Sequence, residues 1–270
     1  EPEEPWGEGA RTEPLQHAVT GFFPDTPQTV RTLNELEKKI RSLEKNFGIR
    51  THKELKRMDE EDWAESWKAF FWPQRITSKI TVKPTWREYS AKSDEIILEI
   101  DPGMAFGTGT HPTTALCITL IERYLSAGSA FLDVGTGSGI LMVAAAKLGA
   151  GRLVGIDNDA VALGIAEKNL QRNHVSHPCF ELKAGNLTAA IDGRFDLIVA
   201  NISSKVILKL LETIGRHMAP KSVLICSGIY KDNCGDVYKK MQQRGLKVSE
   251  ERHEDGWIVI ACSKPNSSTV

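Results

Sequence analysis

The stretch Ala130-Phe131-Leu132-Asp133-Val134-Gly135-Thr136-Gly137-Ser138-Gly139 runs from an apolar segment straight into three glycines at alternate positions. Residues 130–134 read as a buried strand and 140–148 as the helix that follows, which puts the glycines on the turn between them. Glycines at such a turn let the chain bend sharply and let the backbone approach a ligand closely, and the helix N-terminus beyond favours partial negative charge. A cofactor site is expected there, with Gly135 and Gly137 among its contacts. The spacing G-x-G-x-G departs from the dinucleotide fingerprint G-x-G-x-x-G, so a pyrophosphate is not the best tenant. The next strand, 152–157, ends on Asp157, 22 residues beyond Gly135, where a carboxylate can accept both hydroxyls of a ribose. The structural alternative is that the glycines only turn the chain and Asp157 caps the following helix.

Downstream the alternation of strand and helix continues. Residues 159–172 read as helix, 179–183 as strand, 195–200 as a strongly apolar strand, 203–218 as helix and 221–227 as strand. After a helix over 231–244, strands over 246–252 and 257–262 flank His253-Glu254-Asp255-Gly256, whose Asp-Gly is a hairpin signal. An α/β fold is expected, with a doubly wound sheet and a C-terminal antiparallel hairpin. A parallel nucleotide-binding sheet needs no such hairpin, whereas methyltransferase sheets of the doubly wound type usually carry one.

Upstream the pattern differs. Residues 1–16 hold five acids against Arg11 with three prolines, the composition of a flexible acidic leader. A short strand is expected over 18–23, and Asp25-Thr26-Pro27 supplies a cap and a proline for a helix start. Val30, Leu33, Leu36, Ile40, Leu43 and Phe47 then recur at helical spacing, with Gly48 placed to end the helix. A helix packed on a small sheet is favoured over a coiled coil, since fewer than three heptads are present. Trp63, Trp67, Phe70 and Phe71 form a helical stripe before Pro73, read as packing rather than base stacking because no basic groove accompanies them. Strands are expected over 79–86 and 95–100. The domain reading is a leader over 1–16, a partial α+β domain over 17–86, a linker over 87–100, the α/β domain with the glycine turn over 101–264 and a tail over 265–270.

Composition narrows the class. The 270 residues are 41% hydrophobic and 26% charged, which excludes disordered, collagenous and rod-like chains. Apolar runs such as 140–146 fall well short of the roughly 20 residues that span a bilayer. Net charge is −1, so no global field draws the protein to nucleic acid or an anionic membrane. Five scattered cysteines without a C-x-x-C pair fit a reducing, cytoplasmic setting. The chain starts at Glu1 without methionine or an apolar leader, and the expectation is a processed or truncated chain without a signal peptide.

Two further segments carry chemistry. Phe106-Gly107-Thr108-Gly109-Thr110-His111-Pro112-Thr113-Thr114 is a glycine-rich loop opening a helix, able to bend over a ligand or simply to cap that helix. We expect a flap here, with glycines that tolerate little rigidity and contribute little packing. Asn201-Ile202-Ser203-Ser204 follows a strand at the carboxyl edge of the sheet, where ligands of α/β folds bind. The Asn201 side-chain oxygen could accept a hydrogen bond from an attacking amine and aim its lone pair, or the residue could cap the next helix. Asp101 and His111 are candidate bases, although Asp101 before Pro102 could equally start a turn. His174, His177 and Cys179 lack a fourth partner and read as a solvated loop, so no metal is expected. The serine of Gly137-Ser138-Gly139 does not sit in a G-x-S-x-G elbow, which argues against a hydrolase.

At these residues the sequence resembles the ribosomal protein L-eleven methyltransferases, the PrmA family. The likeness covers roughly residues 62–263, and the run from Asp101-Pro102-Gly103-Met104-Ala105-Phe106 to Thr114 is highly specific to that family. The resemblance implies a class I methyltransferase fold, S-adenosyl-L-methionine as cofactor with contacts at Thr114, Gly135, Asp157 and Asn201, and methylation of lysine and N-terminal amino groups on a large-subunit ribosomal protein. Where relatives of this class often place an acid after the third strand to meet the adenine amino group, this chain has Gly185-Asn186-Leu187, and Asn186 would accept through its amide oxygen. The family usually begins with a fuller α+β substrate-recognition domain, which makes residues 17–86 a partial substrate-recognition domain whose first strand and helix the acidic leader replaces, and residues 101–264 the catalytic methyltransferase domain. Asn201 is the expected catalytic residue and a cofactor contact. The expected partner is the ribosomal protein, with a monomer acting and neither membrane nor direct nucleic acid required. Methylation of another protein or a small amine, and a non-catalytic cofactor-binding module, are the alternatives. Base methylation loses, because residues 201–204 contain neither proline nor aromatic residue to clamp a flipped base.

Overall fold

A computed structural model describes residues 27–55, 68, 71–103, 107, 109, 111–189 and 191–265. The acidic leader, the strand expected over 18–23, the cap at Asp25-Thr26, Trp63, Trp67, Phe70 and the last five residues lie outside the described residues.

The chain divides into two compact units between Met58 and Asp59. In the first, α1 spans Pro27–Phe47 with proline at its first position, where a missing N–H costs nothing. Gly48 ends it at φ 64° and donates its N–H to the Glu44 carbonyl at 2.9 Å. The Glu44 carboxylate then takes the N–H and hydroxyl of Thr51 at 3.0 and 2.6 Å, tying the returning chain to the helix. Glu37 pairs with Lys53 at 3.0 Å.

The second unit contains two sheets. In the smaller, β1 (Gln74–Arg75) runs antiparallel to β2 (Ile80–Pro84), which pairs in parallel with β3 (Ile96–Ile100). The division thus falls upstream of the boundary expected at residue 86, and the expected linker over 87–100 contains β3. Ile80, Val82, Leu98 and Ile100 are buried in one cluster with side chains of the helices that follow, so apolar burial ties these strands to the catalytic part.

Those elements are α2 (Pro112–Tyr124), β4 (Ala130–Val134), α3 (Ile140–Lys147), β5 (Arg152–Asp157), α4 (Ala160–Arg172), β6 (Phe180–Ala184), β7 (Phe195–Asn201), α5 (Ser204–Thr213), β8 (Met218–Tyr230), α6 (Cys234–Gln243), β9 (Lys247–Glu254) and β10 (Trp257–Ser263). The strand order is β6-β5-β4-β7-β8-β10-β9. All neighbours are parallel except β10, which is antiparallel to both β8 and β9. Asp255 and Gly256 join β9 to β10 at φ 49° and 79°, the two positive values that a two-residue hairpin matched to strand twist requires.

Strand period two sorts the core into faces. Phe131, Leu153, Leu197, Val199, Ile225 and Val259 point to the side of α2, α3 and α4. Leu132, Val154, Ile198, Leu224 and Ile260 point to α5 and α6. Both faces being covered explains why these strands read as continuous apolar runs. No helix among the described residues is long and apolar enough to cross a membrane.

Candidate active site

The carboxyl ends of β4, β5 and β7 meet at the glycine turn. Gly135 and Thr136 donate their N–H groups to the Ile156 carbonyl at 2.8 and 3.0 Å, extending the β4–β5 ladder into the loop. Gly137 donates to Asp157 Oδ2 at 2.9 Å, and Asp157 Oδ1 takes the Asp159 N–H at 3.0 Å. Asp157 does not cap α4. Asp159 does, accepting the Val161 N–H at 2.8 Å, and the half-buried Asp157 carboxylate retains lone pairs at the strand end. Gly185 donates to the Asp157 carbonyl at 2.9 Å, which brings the exposed Asn186 next in line to that end. No side chain caps α3, whose N-cap is Gly139.

Thr114 and Asn201, 87 positions apart, come together: Asn201 Nδ2 donates to Thr114 Oγ1 at 3.4 Å. His111 caps α2, its Nδ1 taking the Thr113 N–H at 3.3 Å, and Pro112 follows at the first turn; this buries Thr114 completely. Asn201 is not the cap of α5; Ser203 holds that position. The backbone after Asn201 is wedged between two glycines. A Cβ on Gly135 (φ 76°) would strike Ile202 Cγ2, and one on Gly228 (φ 75°) would strike the Ile202 backbone. Gly228→Ala, strained in backbone and blocked by Ile202, is expected to cost about 2–4 kcal/mol of stability and to lower turnover by displacing Asn201. Urea unfolding alongside a rate measurement checks it, and a stable variant with normal turnover would contradict the wedge.

The loop before α2 differs from the expected flap at its glycines. Phe106, Thr108 and Thr110 lie outside the described residues, but Gly107 and Gly109 are buried. The Gly107 carbonyl accepts the Ser138 hydroxyl at 2.5 Å. Added Cβ atoms would meet Ser138 Oγ at 2.7 Å from Gly107 and Val82 Cγ1 at 2.7 Å from Gly109. These glycines allow close docking on the glycine turn and β2, so alanine there costs stability as well as turnover. Of the two candidate bases, Asp101 faces Arg172 at 3.5 Å and takes the Gly103 N–H at 3.3 Å, the turn role. The His111 ring meets Trp257 edge-on at 5.1 Å between centroids.

Sequence reasoning passed over several residues that shape the site. Asn169 on α4 and Asn173, the residue that caps its C-terminus, act as a surrogate strand along β3. Asn173 takes the Glu99 N–H at 3.0 Å and donates to its carbonyl at 2.7 Å; Asn169 does the same with Asp101 at 3.0 and 3.0 Å and also donates to the Ser138 carbonyl at 2.8 Å. The available signal was two amides on the buried stripe of Ala162, Ala166 and Leu170. Asp133, the one acid in an apolar strand, is fully buried. Its Oδ2 accepts the Thr136 hydroxyl at 2.9 Å. Burial pushes its carboxyl up to about 7, against the Thr136 hydrogen bond and with help from the Asp157 charge. The folded protein therefore holds a proton there that the unfolded chain releases near pH 4, and stability is lost as pH rises through the window up to about 7. Between about pH 5 and 7 the ligand-free protein should lose a few kcal/mol that Asp133→Asn does not lose; parallel stability–pH curves for the two would refute this. The His177 ring packs on Phe180 at 4.1 Å and faces Glu167 at 3.8 Å; among the described residues no three potential ligands cluster to hold a metal.

The family model for ribosomal protein L11 methyltransferase (PrmA) matches residues 3–265. The chain is 41% identical over 260 residues to the ribosomal protein L11 methyltransferase of Desulforapulum autotrophicum, covering 96% of this chain and 85% of that one. It is 41% identical over 249 residues to that of Desulfosudis oleivorans, covering 91% and 82%. Among solved structures, the ribosomal protein L11 methylase of Lactobacillus delbrueckii subsp. bulgaricus superposes with a TM-score of 0.68 at 32% identity, over 72% of this chain and 99% of that one.

Proposed function

The chain belongs to the ribosomal protein L11 methyltransferase family, and from that premise we propose that it moves methyl groups from S-adenosylmethionine to lysine side-chain and N-terminal amines of the large-subunit ribosomal protein L11. It is an S-adenosylmethionine-dependent protein methyltransferase, and the cytoplasm is the proposed place of action because the proposed substrate is a ribosomal protein. The observation that carries the reading is the pairing of Asn201 with Thr114 at 3.4 Å, beside a glycine turn that ends against Asp157.

The residues present fit the cofactor. Asp157 offers its remaining lone pairs to ribose hydroxyls, the Gly135–Gly137 backbone permits close approach, and Asn186 stands at the next strand end for the adenine. Bound there, the cofactor supplies an electrophilic methyl group. The protein's part is placement. Asn201 Nδ2 is engaged by Thr114, so Oδ1 is left to accept from the substrate amine and turn its lone pair in line with the methyl. The amine has to be neutral, which costs a lysine of ordinary pKa about 4–5 kcal/mol at neutral pH and an α-amine about 1 kcal/mol. At equal placement the α-amine is the easier acceptor.

Incubating the protein with isotopically labelled S-adenosylmethionine and purified L11, followed by mass spectrometry, tests the proposal. The expected result is labelled methyl on lysine and N-terminal nitrogens. Label on another protein or on a small amine alone would replace the substrate, and cofactor binding without any transfer would make the chain a binding module.

A further inference from the structure

One serine and one asparagine, both fully buried, tie the glycine turn to the segment ahead of α2. Gly139 makes the first contact possible. A Cβ there would meet Ala166 Cβ at 2.9 Å and Cα at 3.0 Å, so only a glycine lets α4 lie flush on the turn. Asn169, one turn further along α4, is thereby brought to the Ser138 carbonyl, to which Nδ2 donates at 2.8 Å. Nδ2 also donates to the Asp101 carbonyl at 3.0 Å, while Oδ1 accepts the Asp101 N–H at 3.0 Å and Arg172 Nη1 at 3.4 Å. Every donor and acceptor of this amide is in use. At the other end of the segment the Ser138 hydroxyl donates to the Gly107 carbonyl at 2.5 Å. Two residues that touch each other thus hold the backbone at both Asp101 and Gly107.

Beyond Gly107 the chain reaches His111, which caps α2, and then Thr114, whose hydroxyl takes Asn201 Nδ2 at 3.4 Å. Close packing of Gly109 on Val82 and Ile140 sets how deeply this stretch lies. The Ser138 hydrogen bond sets its direction, because a carbonyl accepts best near its own plane. A hydroxyl has one proton to give, and that of Ser138 is given to Gly107.

We propose that Ser138 is a positioning residue for methyl transfer: through Gly107 it sets the first turn of α2, and with it the Thr114–Asn201 pair, against the turn that holds the cofactor. The proposal rests on Asn201 aiming the substrate amine beside S-adenosylmethionine at that turn. Ser138 acts through Asn201, and its hydroxyl has no part in the bond made or broken. Alanine at this position leaves the buried Gly107 carbonyl unpaired and the start of α2 free to shift. A displacement of about 1 Å in an aiming group is enough to lower a rate by about a hundredfold.

The test is single-turnover methylation of L11 at saturating S-adenosylmethionine by the wild-type protein, Ser138→Ala, Asn201→Ala and the double variant. Ser138→Ala is expected to lower the rate about 10- to 100-fold, with the dissociation constant for S-adenosylmethionine within about threefold of the wild-type value. Added to Asn201→Ala, it lowers the rate by no more than about twofold, because the group it positions is already gone. Hydrogen exchange on the ligand-free protein gives a readout without any reaction. The Thr114 and Ala115 amides, which donate to the His111 carbonyl at 2.9 and 3.2 Å, should exchange about tenfold faster in Ser138→Ala while those of β4 stay as protected as before. A normal rate in Ser138→Ala would overturn the proposal, and so would rate losses that multiply in the double variant. A Ser138→Ala protein that does not fold, or that loses cofactor affinity along with rate, marks a strut for the turn and is equally fatal. Absence of methyl transfer by the wild-type protein would instead overturn the proposed function and take this proposal with it.

Discussion

Asp157→Ala is expected to weaken S-adenosylmethionine binding by about 10- to 150-fold, the equivalent of about 1.5–3 kcal/mol. The carboxylate does two things at once. It pins the Gly137 N–H at 2.9 Å and the Asp159 N–H at 3.0 Å, and its remaining lone pairs are the ones proposed to take the ribose hydroxyls. Alanine removes the charge-assisted contacts to both hydroxyls and leaves the Gly137 N–H to find water. Asp157→Asn, which keeps an acceptor and loses the charge, should fall between the two. Calorimetric titration decides the matter; an unchanged dissociation constant in the alanine variant would remove Asp157 from the cofactor site.

For Asn201→Ala the expected loss is in rate, about a hundredfold, with cofactor affinity held within a few fold. Thr114 is buried and fixed by the cap at His111, so its hydroxyl oxygen orients the Asn201 amide without freedom of its own. Without the amide oxygen the amine can still reach the site but its lone pair is no longer aimed. Single-turnover measurements at saturating cofactor separate the two effects. Collapse of binding with a normal rate in the bound complex would make Asn201 a cofactor contact and transfer the aiming role elsewhere.

The strand at 130–134 with its glycines, the acid at the end of the next strand and the Asp-Gly hairpin were all legible in the chain. Each is a local rule: period two for a buried strand, glycine for a tight turn, positive φ for the hairpin. So were Pro27 and Gly48 at the ends of α1. The candidate site was legible to the same extent, because Gly135, Gly137 and Asp157 lie within two consecutive strand ends. The disfavoured alternative, in which Asp157 caps α4, falls away by two residues, since two aspartates stand in Asp157-Asn158-Asp159 and geometry assigns the cap to the second.

What the sequence determined by itself was therefore the doubly wound class and the glycine turn, both consequences of short-range backbone preference and apolar periodicity, while the identity of the cofactor came from the resemblance to a family. Tertiary structure alone decided the rest. It set Asn201 against Thr114 across 87 positions, lodged Ile202 between Gly135 and Gly228, drew β2 and β3 into the catalytic core and docked Gly107 on Ser138. It also left Asp133 buried beside a second acid. These depend on which faces the packed sheet brings within a few ångströms and on how much water it excludes, and neither quantity is a property of neighbours along the chain.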